Sequence, residues 1–117
     1  MYKPKPVIKR KPAKDLFKLL VKELEESGNL NDQTILLVDN MVLLEQLKYQ
    51  HLDDIKERGV VELFQNGSQT MYRQNKSVDA VLKIVEQQRK LQAELKLTPA
   101  SNKRVTEAVT VDEFEEF

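Results

Sequence analysis

Apolar residues recur at helical spacing along most of the chain. From about Ala13, Leu16, Leu20 and Leu24 fall on one stripe with Phe17 and Val21 beside it, while Lys18, Lys22, Glu23 and Glu26 take wetter faces, which predicts a first helix. Ser27, Gly28 and Asn29 end it, Gly28 as a left-handed terminator, and Asn31 or Asp32 suits the cap of the next helix. That second helix, about Asp32 to Arg58, is unusual. Ile35, Leu36, Leu37, Val38, Met41, Val42, Leu43 and Leu44 leave hardly any polar direction around its first half. A helix apolar all round has to be covered all round. One short amphipathic helix, a hairpin and a third helix are too few to do this from within the chain, so Leu37, Met41 and Leu44 are expected at a contact between copies. The second half, from Glu45 to Arg58, is more amphipathic, with Leu47, Leu52 and Ile55 as its apolar members.

Gly59 breaks the pattern, and Val60 to Arg73 reads as a hairpin about Asn66-Gly67, the dipeptide suited to the positive φ angles of a type I′ turn. A two-residue loop there pairs Leu63 with Thr70 and Val61 with Tyr72. A third helix, about Ser77 to Lys96, carries Val81, Ile84, Gln88, Leu91 and Leu95 three and four apart. This stripe is either packed on its own domain or forms a seam between subunits in which the polar Gln88 sets register. After Leu97, Thr98 can cap a short last helix and Pro99 can occupy its first turn. The expected fold is mainly α, with about four helices and one β-hairpin between the second and third. A helical domain over 13–109, with the hairpin at 60–73, is flanked by a basic arm (1–12) and an acidic, aromatic tail (110–117).

Charge sharpens this picture. The 117 residues carry 19 basic and 19 acidic side chains. The charges among the first fourteen residues are all basic, namely Lys3, Lys5, Lys9, Arg10, Lys11 and Lys14, while from Glu107 onward every charge is negative. Opposed tails of this kind are solvated or partner-binding arms. Pro4, Pro6 and Pro12 disfavour a helix in the arm, which is expected to be extended and mobile when free. Its lysines and Arg10 are candidates for neutralising nucleic-acid phosphates, with Lys103 and Arg104 of the last helix as secondary candidates. In the tail, Phe114 and Phe117 sit amid Asp112, Glu113, Glu115 and Glu116, a composition able to dock two rings into a partner. A chain of this length hides roughly two-thirds of its unfolded surface, so a partner copy can supply missing burial. The absence of cysteine excludes disulfides and thiolate zinc sites and fits an intracellular setting. No apolar run approaches a membrane span, and the Lys/Pro-rich start lacks the apolar middle of a secretory signal.

Catalytic patterns are missing. The three glycines stand alone at 28, 59 and 67, and none opens a phosphate-cradling loop. His51 has Asp53 and Asp54 nearby, but two or three residues is not the spacing that aligns ligands on a helical face, and a second histidine is absent. A solvated surface histidine is expected. Ser27, Ser68, Ser77 and Ser101 each suit a cap or turn, and none sits in a nucleophile elbow. The acidic pairs Asp53-Asp54 and Glu115-Glu116 read as exposed charge. No enzyme activity, cofactor or metal is expected.

The segment Leu95-Lys96-Leu97-Thr98-Pro99-Ala100-Ser101-Asn102-Lys103-Arg104 resembles the closing motif of a family of short phage terminase small subunits, a leucine-glycine-leucine-threonine-proline-alanine-serine run followed by arginines. Lys96 replaces the usual glycine, and Asn102-Lys103 alters the basic end. The layout is also similar: a first helix ending in Glu-Glu-Ser-Gly, a long second helix, a hairpin with Asn66-Gly67, and a helix containing Ser77-Val78-Asp79-Ala80-Val81. Where the family often has asparagine-proline before that helix, this chain has Lys76-Ser77. The resemblance implies a non-catalytic component of a viral DNA-packaging motor in the host cell cytoplasm. Such a component binds double-stranded viral DNA, forms a homo-oligomeric ring and serves a separate large subunit that carries the ATPase and nuclease. On that reading, Leu37, Met41, Leu44, Val81, Ile84, Gln88 and Leu91 are interface candidates. Two other classes fit parts of the pattern: a small dimeric DNA-binding transcription regulator, and a helical adaptor without a nucleic-acid role. The regulator is disfavoured because a recognition helix beginning at Ile35 to Val38 is too apolar for a major groove.

Overall fold

A computed structural model describes residues 2–67 and 69–110. Its elements are α1 (Lys11–Glu26), α2 (Asp32–Arg58), β1 (Val61–Asn66), β2 (Gln69–Gln74), α3 (Lys76–Glu94) and α4 (Pro99–Val109). The 27-residue α2 is the spine, roughly 40 Å long at 1.5 Å per residue. It starts in a capping box: the Asn31 side chain accepts from the backbone of Gln33 and Thr34, and Thr34 Oγ1 accepts from Asn31 N.

Two apolar clusters lie along the spine. The larger joins Leu16, Phe17, Leu20 and Leu24 of α1 to Val38, Met41 and Val42 of α2 and Val105 of α4. The smaller, at the hairpin end, joins Leu52 and Ile55 to Val78 and Val81 of α3. Between them sits a buried polar belt. Lys48 Nζ meets Glu45 Oε1 at 2.6 Å and donates to Gln88 Oε1 at 3.1 Å and to the Val109 carbonyl at 2.8 Å. Gln88 Nε2 donates to Glu45 Oε1 and to the Met41 carbonyl. Burial of these charges is tolerated because they are paired and hydrogen-bonded. The second half of α2 is thus oriented differently from the sequence expectation. Glu45 and Lys48 face inward, whereas Leu47, expected as an apolar member, is 36% exposed.

The hairpin forms in a different register from the one expected. The strands pair Val61 with Gln74, Leu63 with Tyr72 and Asn66 with Gln69, so the loop begins at Gly67 (φ 63°) and Asn66 is the last paired residue. The shift is by two residues, which preserves the residues sharing a face. Asn75 sets this register. Its N–H donates to the Val60 carbonyl, its Nδ2 donates to the Gly59 carbonyl, and its Oδ1 caps α3 by accepting from Ser77 N. Gly59, at φ 84° and ψ 171°, lies in backbone space open essentially to glycine alone. Asn75 is thus the N-cap of α3, and Lys76 occupies the first helical position.

Candidate nucleic-acid interface

The basic arm is laid across α2 rather than free of it. Ile8 is 6% exposed within the larger cluster. Pro6 stands second in a turn closed by Ile8 N–H donating to the Lys5 carbonyl, the position where its fixed φ is favourable, and this turn directs Ile8 inward. Gln46 of α2 meets the backbone polar groups of the arm: its Oε1 accepts from Lys9 N and Arg10 N, and its Nε2 donates to the Val7 carbonyl. Tyr2 Oη donates to Asp32 Oδ1 at 2.6 Å, a bond that raises the tyrosine's pKa. The difference from the expectation is physical: the prolines remove donors that would otherwise need water, and one buried glutamine satisfies what remains.

This anchoring leaves Lys9, Lys11 and Lys14 exposed at the N-terminal end of α1, while Lys3 and Lys5, also exposed, follow the arm along α2 toward Asp39 and Asp32. Lys18 and Lys22 continue outward along the same helix. α1 has no acidic residue in its first turn and no basic residue in its last. Both ends oppose the helix dipole, which typically disfavours such a charge by about 0.3–1 kcal/mol. The dipole and the lysines add to make one positive surface, suited to anions. Arg10 is partly engaged by Asp53 at 2.5 Å, and Lys5 lies 3.9 Å from Asp39; both pairs are solvent-exposed enough to be weak.

The two candidates on α4 diverge. Lys103 is exposed. Arg104 instead grips Glu23 of α1 with Nε and Nη2 at 2.6 and 2.8 Å, and Ser101 Oγ donates to the same carboxylate at 2.6 Å. These bonds, Arg104's first, hold the Glu23 carboxyl at a pKa of about 2 and push the guanidinium's value upward. The closing motif is thus a structural joint. Leu95 and Leu97 enter the core, Lys96 turns the chain at φ 52°, Thr98 caps α4 and Ser101 with Arg104 bolts α4 to α1.

The interface candidates divide by burial. Met41, Val81, Ile84 and Gln88 are buried by the chain's own elements, while Leu37, Leu44 and Leu91 are half-buried. The apolar surface left open on α2 is a stripe of Leu36, Leu43 and Leu47, exposed by 60, 38 and 36%. At roughly 100° per residue these three point within about 20° of one direction, opposite the buried Val38 and Glu45. Sequence spacing shows the stripe, but only packing tells which side of an all-round apolar helix is left over. Phe114 and Phe117 lie outside the described residues.

His51 is half-buried rather than fully solvated. Its Nδ1 stands 3.0 Å from Ser77 Oγ, which donates to Asp54 Oδ2 at 2.6 Å. A hydroxyl that gives its proton to Asp54 is not poised to give it to the imidazole, so the order of bonds is wrong for a nucleophilic serine. Arg58 first and Ser77 second hold Asp54 well below the usual carboxylate range. The cluster fastens α3 to the end of α2. Among the described residues no group of acidic or histidine side chains is arranged to hold a metal, and no helix is long and apolar enough to cross a membrane.

Residues 13–111 match the family described as phage terminase, small subunit, and the chain belongs to that family. No curated protein and no solved structure shows a significant match to it.

Proposed function

We propose that this terminase small subunit is the non-catalytic DNA-recognition component of a viral packaging motor, acting inside the host cell with a separate large ATPase and nuclease subunit. The observation that carries this reading is the exposed trio Lys9, Lys11 and Lys14 gathered against the dipole at the N-terminal end of α1, an arrangement that a duplex's phosphates would stabilise. The contacts are to phosphate and position the protein; they do not by themselves choose a sequence. Copies meet through the outer stripe of α2, closing into a ring that multiplies weak contacts.

The test is duplex binding as a function of salt for Lys9→Ala, Lys11→Ala and Lys14→Ala combined. Deleting the arm is a poorer probe, because Ile8 and the Gln46 bonds would go with it. If each lysine meets one phosphate, the slope of log affinity against log salt becomes shallower by about 0.9 per lysine, roughly 2–3 in all. An unchanged slope removes this surface from the mechanism. Leu36→Glu with Leu43→Glu should lower the assembly mass in light scattering while the helical content of the chain persists; a full-size assembly excludes the α2 stripe as the contact.

A further inference from the structure

A groove of about 500 Å³ runs between α3 and α4, lined chiefly by Val81, Leu82, Val85, Arg89 and Val109. Its size lies within the roughly 300–1,000 Å³ of cavities that take organic groups, and its walls are mostly apolar. Leu82 and Val85 are 51 and 46% exposed there. Thr110, the last described residue, is itself part of the lining. Its position is set, because the Val109 carbonyl accepts from Lys48 Nζ and Thr110 N–H donates to the Thr106 carbonyl.

The direction of the chain is also set. Gln92 Nε2 donates to Asn102 and Thr106, while Lys48 links Gln88 to Val109, so α4 runs back alongside α3. Beyond Val109 the groove continues toward Val85, Leu82 and Val81. From Gln88 to Val81 is roughly 10 Å along a helix axis. Four residues from Thr110 to Phe114 reach about 13 Å when extended. The segment Val111 to Phe117 also complements the groove in charge. It carries Asp112, Glu113, Glu115 and Glu116, and Arg89 makes no ion pair among the described residues.

We propose that the groove is the seat of the chain's own residues 111–117, with Phe114 against Leu82 and Val85 and the flanking carboxylates toward Arg89. The same chain wins over other sources because its segment starts at the groove and has an effective concentration on the order of millimolar. Docked in this way, the aromatic segment is withheld from other proteins, and a partner that draws it out uncovers the groove. This proposal does not depend on DNA binding or on the α2 contact.

The chain has no tryptophan and no cysteine, so single reporters can be placed in the full-length protein. Phe114→Trp should show blue-shifted emission and acrylamide quenching roughly threefold slower than the free peptide Val-Asp-Glu-Trp-Glu-Glu-Phe, because the ring leaves water. Adding Val85→Glu or Arg89→Ala should return quenching toward that of the peptide. Quenching equal to the peptide's, or unaffected by both substitutions, overturns the proposal. In a second measurement Leu82→Cys and Glu115→Cys are joined by a short bismaleimide and weighed under denaturing conditions. A link within one chain is expected. A link only between chains, or none, overturns it.

Discussion

Replacing Lys96 with glycine should stabilise this protein. Lys96 follows the C-cap of α3, the place where helices end on a left-handed residue, and its φ of 52° makes it the one non-glycine among the described residues with positive φ. Its side chain is exposed, so little contact is lost on truncation. A left-handed conformation costs an L-residue roughly 1–2 kcal/mol. Glycine relieves this but gives up about 0.5–1 kcal/mol through its more mobile unfolded chain. The net gain for Lys96→Gly is about 0.5–1 kcal/mol, equivalent to about 2–5 °C in Tm for a domain of this length. Thermal melts at one fixed protein concentration measure it, with Lys96→Ala as the control. Alanine keeps a Cβ and should show no comparable gain. A Tm for Lys96→Gly equal to or below that of the parent, or a rise matched by Lys96→Ala, would refute the reasoning.

Lys48→Ala leaves Glu45 buried beside a lost counter-charge and should lower stability by about 3–5 kcal/mol in urea titration, whereas Glu45→Leu with Lys48→Met should recover most of it. Gly59→Ala should cost about 1–3 kcal/mol through backbone strain. Steric contact is not the cause, because an added Cβ would meet the nearest atom, Val61 O, at an ordinary 3.5 Å. Glu23 is expected to shape the acid limb of unfolding. Its folded pKa of about 2 lies below the ordinary 4.5, so its contribution is complete above about 4.5 and fades as pH falls toward 2. Glu23→Gln should remove that part of the pH dependence, measured by urea titrations across the window, and an acid limb identical to the parent's contradicts it.

The helices were legible in the sequence because their ends carry local chemistry: Asn31, Thr98 with Pro99, and Gly28. The hairpin was legible as a hairpin, but its register was not. Asn66-Gly67 suggests a loop centred on itself, while the deciding bonds come from Asn75, which ties the strand ends at Gly59 and Val60. The basic surface could be read from charge alone. Its anchoring could not, because Gln46 lies 37 residues from Lys9 in sequence. The inward turn of Glu45 and Lys48 was not legible for the same reason: their partner Gln88 is 40 residues beyond Lys48. Arg104 looked free for phosphate because nothing local announces Glu23, 81 residues away.

The polar belt across the middle of α2 divides the interior into two oily compartments, and their openings need not be simultaneous. Amide hydrogen exchange should therefore fall into two protection classes along a single continuous helix. The hairpin end is free to breathe while the compartment built with α1 stays shut, so wear at one extremity of the molecule does not spread to the other.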